Sequence, residues 1–411
     1  MNKLIKEKIK KLKPSATIAL NEKSKKLISE GKKIYKFGFG QSPFPVPREI
    51  QKELSINTHR KDYLPMQGLL ELRQAISSYL NKRNKVKFDF EDIVIGPGSK
   101  ELMFLLNQIF NGDIILPAPS WVSYAPQADI GNNKVHWIET SSETNWFPTA
   151  EQLEKKIKKI GVKKILLILN SPSNPSGAIC NNFKEIAEVV KKNKIIVLSD
   201  EIYSELTFSK KIDSISNYCP ENTIVSSGLS KWCGAGGWRL GFFAIPKQLL
   251  EIKNAMKVIG SESFTSVSAP IQYAAVKAYT ENLGEYIESS INILKCVGEY
   301  VYSNLKSNNV IITPPAGGFY LMPEFKNKNF KNSSEMCEDI LKKTGVALLP
   351  GSDFGLSPKK MAARLSYTDF DGSKFLEETY GSKNLDYESV KQYAPNIVDG
   401  VSKLKEWSNL L

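Results

Sequence analysis

The stretch Ser226-Ser227-Gly228-Leu229-Ser230-Lys231-Trp232-Cys233-Gly234-Ala235-Gly236-Gly237-Trp238-Arg239-Leu240-Gly241 sets a lysine after an apolar run and an arginine eight positions further on. Glycines at this density let backbone approach a ligand closely. An arginine flanked by Trp238, Leu240 and Phe242 needs a fixed anionic partner if it is buried. A lysine amine that bonds to a carbonyl group, beside an arginine that grips a phosphate, satisfies both demands. The plainer reading is a solvated lysine, which most lysines of this chain are.

The elements that must position these residues form an alternation. Between about residues 92 and 245, apolar runs fall at Ile93–Ile95, Ile114–Leu116, Val135–Ile138, Ile165–Leu169, Ile195–Leu198, Thr223–Val225 and Leu240–Ile245. Helical patterns such as Ser99–Phe110 and Asn182–Lys192 lie between them. Continuous rather than alternating runs mark strands covered on both faces. This order predicts an α/β fold: a mainly parallel seven-stranded sheet flanked by helices, plus a smaller α+β domain. Three runs end in polar or glycine-rich clusters, at Gly96-Pro97-Gly98-Ser99, Asn170-Ser171-Pro172 and Ser199-Asp200-Glu201. Ligands in open α/β sheets bind outside the carboxyl ends of strands, so these clusters should converge. The expected division is 1–47 as N-terminal arm and part of the small domain, 48–295 as the large domain, and 296–411 as the small C-terminal domain. A helical stretch near 266–306 leads into that last region, where Phe319–Met322 and Leu348–Gly351 look strand-like. Met1–Lys13 reads as a solvated arm or short helix, and Tyr380–Pro395 as a surface insertion.

Composition excludes several classes. No run approaches the roughly 18 apolar residues of a membrane span, and no secretory apolar segment opens the chain, so a cytoplasmic protein is expected. Five cysteines (Cys180, Cys219, Cys233, Cys296 and Cys337) show no ligand spacing and read as reduced thiols. His59 and His136 are too few and too far apart for a zinc set or a His-dependent triad. The net charge of +13 would suit nucleic acid, but the lysines are spread along the chain and no binding module is recognisable. No metal, membrane or nucleic-acid partner is therefore expected. Arginine occurs only at Arg48, Arg60, Arg73, Arg83, Arg239 and Arg364. A chain that uses lysine almost everywhere keeps arginine where the planar fork matters.

The lysine-to-arginine loop resembles the SKxxxxxGWRxG pattern of the class I/II aminotransferases, the aspartate-aminotransferase-like family of pyridoxal-5′-phosphate (PLP) fold type I. Other segments resemble family motifs, in order, over nearly the whole chain. They are Tyr63-Leu64-Pro65-Met66-Gln67-Gly68 with Glu71-Leu72-Arg73, Gly98-Ser99-Lys100, and Pro119-Ser120-Trp121-Val122-Ser123-Tyr124. Asn170-Ser171-Pro172-Ser173-Asn174-Pro175-Ser176-Gly177, Ser199-Asp200-Glu201-Ile202-Tyr203 and Arg364-Leu365-Ser366 complete the set.

The resemblance implies PLP as cofactor, carried by Lys231, and ping-pong transfer of an amino group from an L-amino acid to a 2-oxo acid such as 2-oxoglutarate. Lys231 would serve as general base and then acid. Asp200 would face the pyridine nitrogen, where a carboxylate beside a buried strand finds a charged partner; a helix N-cap is its plainer role. Tyr203 and Asn174 would donate to the cofactor's phenolate oxygen, although Asn-Pro is also an ordinary turn signal. Gly98, Ser99 and Lys100 open a helix whose free N–H groups suit the phosphate, and Arg239 adds a charged fork. Trp121 would stack on the ring. Arg364 would clamp the substrate α-carboxylate, aided by Gly40 and Asn174. Tyr63 would reach the neighbouring subunit's phosphate, which implies a homodimer, and Glu71–Arg73 reads as a helix start. Many relatives place serine three residues before the lysine; here that residue is Gly228, which leaves Ser227 and Ser230 as alternatives for the phosphate.

Lys13-Pro14-Ser15-Ala16-Thr17 resembles the KPSAT segment of a bacterial-type aspartate aminotransferase subgroup, which carries a lysine at the Lys100 position against the distal carboxylate. Aspartate or glutamate is thus the favoured donor. Gly38-Phe39-Gly40-Gln41-Ser42-Pro43-Phe44-Pro45 departs from that subgroup's GEPDF pattern, which keeps aromatic, prephenate or broad specificity open. A C–S β-lyase on the same scaffold and a non-catalytic PLP-fold binding protein are the rival readings.

Overall fold

All six residues of Ile165–Asn170 are buried, as an apolar run covered on both faces must be. The computed structural model describes residues 4–12, 14–161, 164–209, 212–326 and 329–410. Its main sheet contains β1 (Ile93–Gly96), β2 (Asp113–Ala118), β3 (Val135–Glu139), β4 (Ile165–Asn170), β5 (Ile196–Asp200), β6 (Thr223–Gly228) and β7 (Gly241–Ala244). The spatial order is β1-β7-β6-β5-β4-β2-β3, and β7 runs antiparallel to both of its neighbours. The other pairings are parallel. Register sets Asn170 beside Asp200, Asp200 beside Ser226, and Gly96 and Gly228 on either side of Gly241. The polar strand ends therefore lie along one edge.

Five short strands follow: β8 (Val310–Ile311), β9 (Tyr320–Leu321), β10 (Glu324–Phe325), β11 (Leu349–Pro350) and β12 (Ala363–Ser366). β12 lies between β11 and β9, with Arg364 opposite Leu349 and Ser366 opposite Tyr320. The N-terminal segment joins them: Tyr35 bridges Val346, and the Ser366 N–H donates to Phe37 O at 2.7 Å. The helix Gly284–Leu305 runs unbroken through the division expected at 295/296.

Glu7–Lys11 is a short helix, while Met1–Lys3 and Lys13 lie outside the described residues. Tyr380–Pro395 is not a mere surface insertion. Its helix Tyr387–Tyr393 packs on the helices Gly284–Leu305 and Pro395–Asn409, and Val390 and Ala394 are fully buried. Spaced four apart, they form the apolar stripe that an amphipathic helix turns inward. No described helix is long and apolar enough to cross a membrane.

Candidate active site

The loop after β1 turns through Gly98 at φ +90°, which caps the helix Ser99–Ile109. A Cβ at residue 98 would lie 2.2 Å from Arg239 Nη2, so only glycine lets the guanidinium rest against this loop. Arg239 sits in the left-handed region at φ +57°, a strained conformation for a non-glycine residue. Its Nη1 donates to Gly236 O at 2.7 Å and its Nη2 to Pro97 O at 3.3 Å.

Lys231 Nζ donates to Gly40 O at 2.6 Å and stands 5.6 Å from the ring centres of both Tyr203 and Phe319. Burial, with Arg364 nearby, lowers its ammonium to about 8. Asp200, at the end of β5, accepts from Tyr124 Oη at 2.6 Å and from the Ile202 N–H at 3.3 Å. Burial still raises its carboxyl to about 6. The turn after Asp200 is clamped from behind by Arg83, on the helix Leu70–Arg83. Arg83 pairs with Glu201 and Glu205 and donates to Ser204 Oγ at 2.6 Å. Glu201 also accepts from Ser199 Oγ at 2.9 Å and Ser214 Oγ at 2.5 Å.

Arg364, on β12, is 2% exposed. Its Nη1 donates to Asn174 Oδ1 at 2.9 Å and its Nη2 to Gly38 O at 2.7 Å, while its buried Nε has no partner. The guanidinium carbon lies 4.7 Å from the Tyr320 ring centre and 5.1 Å from that of Phe354. Hydrogen bonds tie the two sides together: Asn174 N–H donates to Asn170 Oδ1 at 2.7 Å, and Asn170 Nδ2 to Asp200 O at 2.8 Å.

Of the residues singled out from sequence, Gly40, Ser99, Lys100, Trp121, Asn174, Asp200, Tyr203, Ser230, Lys231, Arg239 and Arg364 line one cavity of about 490 Å³. Gly98 stands behind it, against Arg239. Tyr63 does not line the cavity and is 88% exposed. Of the two alternative serines, Ser230 lines the cavity, whereas Ser227 Oγ donates to Glu201 O at 3.4 Å. A Cβ on Gly228 would come within 2.7 Å of Leu240 O and 2.8 Å of Gly241 Cα, so β6 and β7 close there only around glycine. Lys100 Nζ lies 5.5 Å from the Trp121 ring centre, and burial lowers its ammonium, with Arg239 adding to the effect.

Sequence reasoning assigned no role to Tyr124, Asn170 or Tyr320, nor to Thr17 and Gln41, which line the cavity. Tyr124 and Asn170 stand inside motif segments, so the signal was present; their partners were not. The lining cations Lys100, Lys231, Arg239 and Arg364 outnumber the single carboxylate, Asp200.

The family model of class I and II aminotransferases matches residues 31–374. The chain belongs to this family. An aspartate aminotransferase of Bacillus sp. (strain YM-2) is 32% identical over 389 residues, which cover 89% of this chain and 95% of the relative. An asparagine–oxo-acid transaminase of Streptococcus mutans is 31% identical over 381 residues, or 88% and 93%. The aspartate aminotransferase of Thermus thermophilus with maleate shares the fold, with a TM-score of 0.84 at 24% identity over 98% and 99% of the chains.

This aminotransferase is accordingly a PLP-dependent enzyme of its class, and the residues present fit the cofactor. The first N–H groups of the helix from Ser99 lack intrahelical acceptors. A Cβ at Gly241 would lie 2.3 Å from Ser99 N, so a second glycine keeps the same corner clear. Asp200 offers a buried carboxylate that a protonated ring nitrogen would neutralise.

Proposed function

We propose that this aminotransferase exchanges the amino group of a dicarboxylic L-amino acid, aspartate or glutamate, with a 2-oxo acid such as 2-oxoglutarate. PLP binds at Lys231 in this reading. The observation that carries it is that three cations from different elements, Arg239, Arg364 and Lys100, line one cavity. Arg239, beside the helix N-terminus, takes the phosphate, with Gly98, Ser99 and Ser230. Arg364, with an unpartnered Nε, takes the α-carboxylate beside Gly40 and Asn174. Lys100 remains for a second carboxylate. The name of the Bacillus relative, an aspartate aminotransferase, favours the same substrate class, whereas the Streptococcus relative is named for asparagine, whose side chain is a neutral amide.

When bound, PLP supplies an electron sink for the pair left on the substrate Cα. Lys231 Nζ is the group that takes the Cα proton. With its ammonium near 8, about a tenth is neutral at pH 7, against about one in three thousand for an unperturbed lysine. Asp200 would keep the ring nitrogen protonated, Tyr203 and Asn174 would donate to the ring oxygen, and Trp121 would stack on the ring. Tyr63 serves the phosphate of a second subunit in a cytoplasmic homodimer.

The test is an amino-donor panel scored for 2-oxo acid formation, alongside borohydride trapping of the cofactor. Aspartate and glutamate should outpace phenylalanine and alanine, and the trapped adduct should map to Lys231. An adduct elsewhere overturns the site. Release of pyruvate and ammonia from cysteine conjugates without an oxo-acid acceptor would make the protein a β-lyase.

A further inference from the structure

Tyr320 lies on β9 with its side chain almost fully buried, and its hydroxyl is 3.0 Å from that of Tyr203. Both phenols line the cavity, and burial keeps both protonated. Two hydroxyls facing each other hold two protons, of which one lies between the oxygens. The donor of that hydrogen bond decides which oxygen still has a proton to give elsewhere.

Two features break the symmetry. The Arg364 guanidinium lies 4.7 Å from the Tyr320 ring centre, whereas the cation over the Tyr203 ring is Lys231, at 5.6 Å and partly neutral; Arg364 also reaches Tyr203, but there it ranks behind the opposing influence of Tyr320. A permanent charge over a phenol ring makes its hydroxyl the better donor. Residue 40 also closes one side of the Tyr320 hydroxyl: a Cβ there would sit 2.0 Å from Tyr320 Oη.

We propose that Tyr320 is a positioning residue: its hydroxyl donates to Tyr203 and thereby directs the Tyr203 proton into the cavity. The inference rests on the reading that Tyr203 donates to the cofactor's ring oxygen. Hydrogen bonds in a chain strengthen one another, so Tyr203 also becomes a stronger donor. Tyr320 thus joins the carboxylate-binding arginine to the cofactor-facing phenol.

The experiment compares PLP-loaded wild type, Tyr320→Phe, Tyr203→Phe and the double variant. It records the pH midpoint of the visible absorbance change, and maleate affinity from the spectral change on binding. A weaker donor to the ring oxygen disfavours its anionic form, so the midpoint should rise by about one pH unit in Tyr320→Phe. Maleate affinity should change less than about threefold, because the ring under Arg364 stays. In the Tyr203→Phe background, Tyr320→Phe should add no further shift. Tyr320→Leu, which removes the ring too, should show the same midpoint rise and a larger loss of maleate affinity. An unmoved midpoint in Tyr320→Phe, or a full extra shift in the double variant, overturns the proposal. A wild-type protein with no visible absorbance after loading overturns the cofactor reading itself, and the inference falls with it; one whose absorbance does not move with pH overturns the inference alone.

Discussion

Asp200 holds its proton to higher pH in the fold than in the unfolded chain, and the cause is burial. That sign has a measurable result. Without cofactor, Asp200 favours the folded state fully only below the unfolded carboxyl's range, near 4, and the contribution is lost as pH climbs through about 6. Asp200→Asn should therefore make the cofactor-free protein about 2 kcal/mol more resistant to urea than wild type at pH 8, with the gap closing near pH 4. In steady-state kinetics, Arg364→Lys should cost about 2–4 kcal/mol in kcat/KM while PLP binding persists, because an ammonium cannot make the two-bond clamp. A near-normal kcat/KM would remove Arg364 from the carboxylate site. Arg239 and Arg364, the arginines singled out in this lysine-rich chain, both hold multi-bond positions; Arg83, to which sequence reasoning assigned no role, does so too. The phenols Tyr124 and Tyr320 were not legible in the sequence. Their value lies in partners on other strands, which a tyrosine in an apolar run does not announce.

Elements carry these side chains, and the turn after β5 carries the most. Arg83 reaches it from the helix Leu70–Arg83, and the Arg83 and Glu201 side chains are nearly fully buried. Arg83→Met would leave Glu201 charged and unpaired, a loss expected at about 3–5 kcal/mol in denaturant unfolding. Arg83→Met combined with Glu201→Gln should recover part of it; a double-variant loss equal to the sum of the two single losses would mean that the pair acts independently. All seven main strands were readable, most because runs buried on both faces are continuously apolar, although the edge strand β3 is only half-buried and β6 runs on through buried Ser226 and Ser227. The helix Tyr387–Tyr393 was missed. Its inward side is short and set among Glu388, Ser389, Lys391 and Gln392, which read as surface.

At the scale of the molecule, Tyr63 has no role in a single subunit, since it is exposed and away from the cavity. Sedimentation should show a homodimer at assay concentrations, and an active monomer would contradict the role given to Tyr63. Mixing Tyr63→Phe chains with Lys231→Ala chains should restore one working site per mixed dimer, since one site then receives both intact residues. The path of the chain has a further consequence, for synthesis. The main sheet is complete in sequence once β7 ends at Ala244, but Gly38 O is held by Arg364 and Phe37 O by the Ser366 N–H. Phe37 and Gly38 must therefore wait for Arg364 and Ser366. At roughly 5–20 residues per second, the intervening ~120 residues take roughly 6–24 s. During that interval a nascent chain can own a finished sheet and a placed Lys231, yet lack the arginine proposed to hold its substrate's carboxylate.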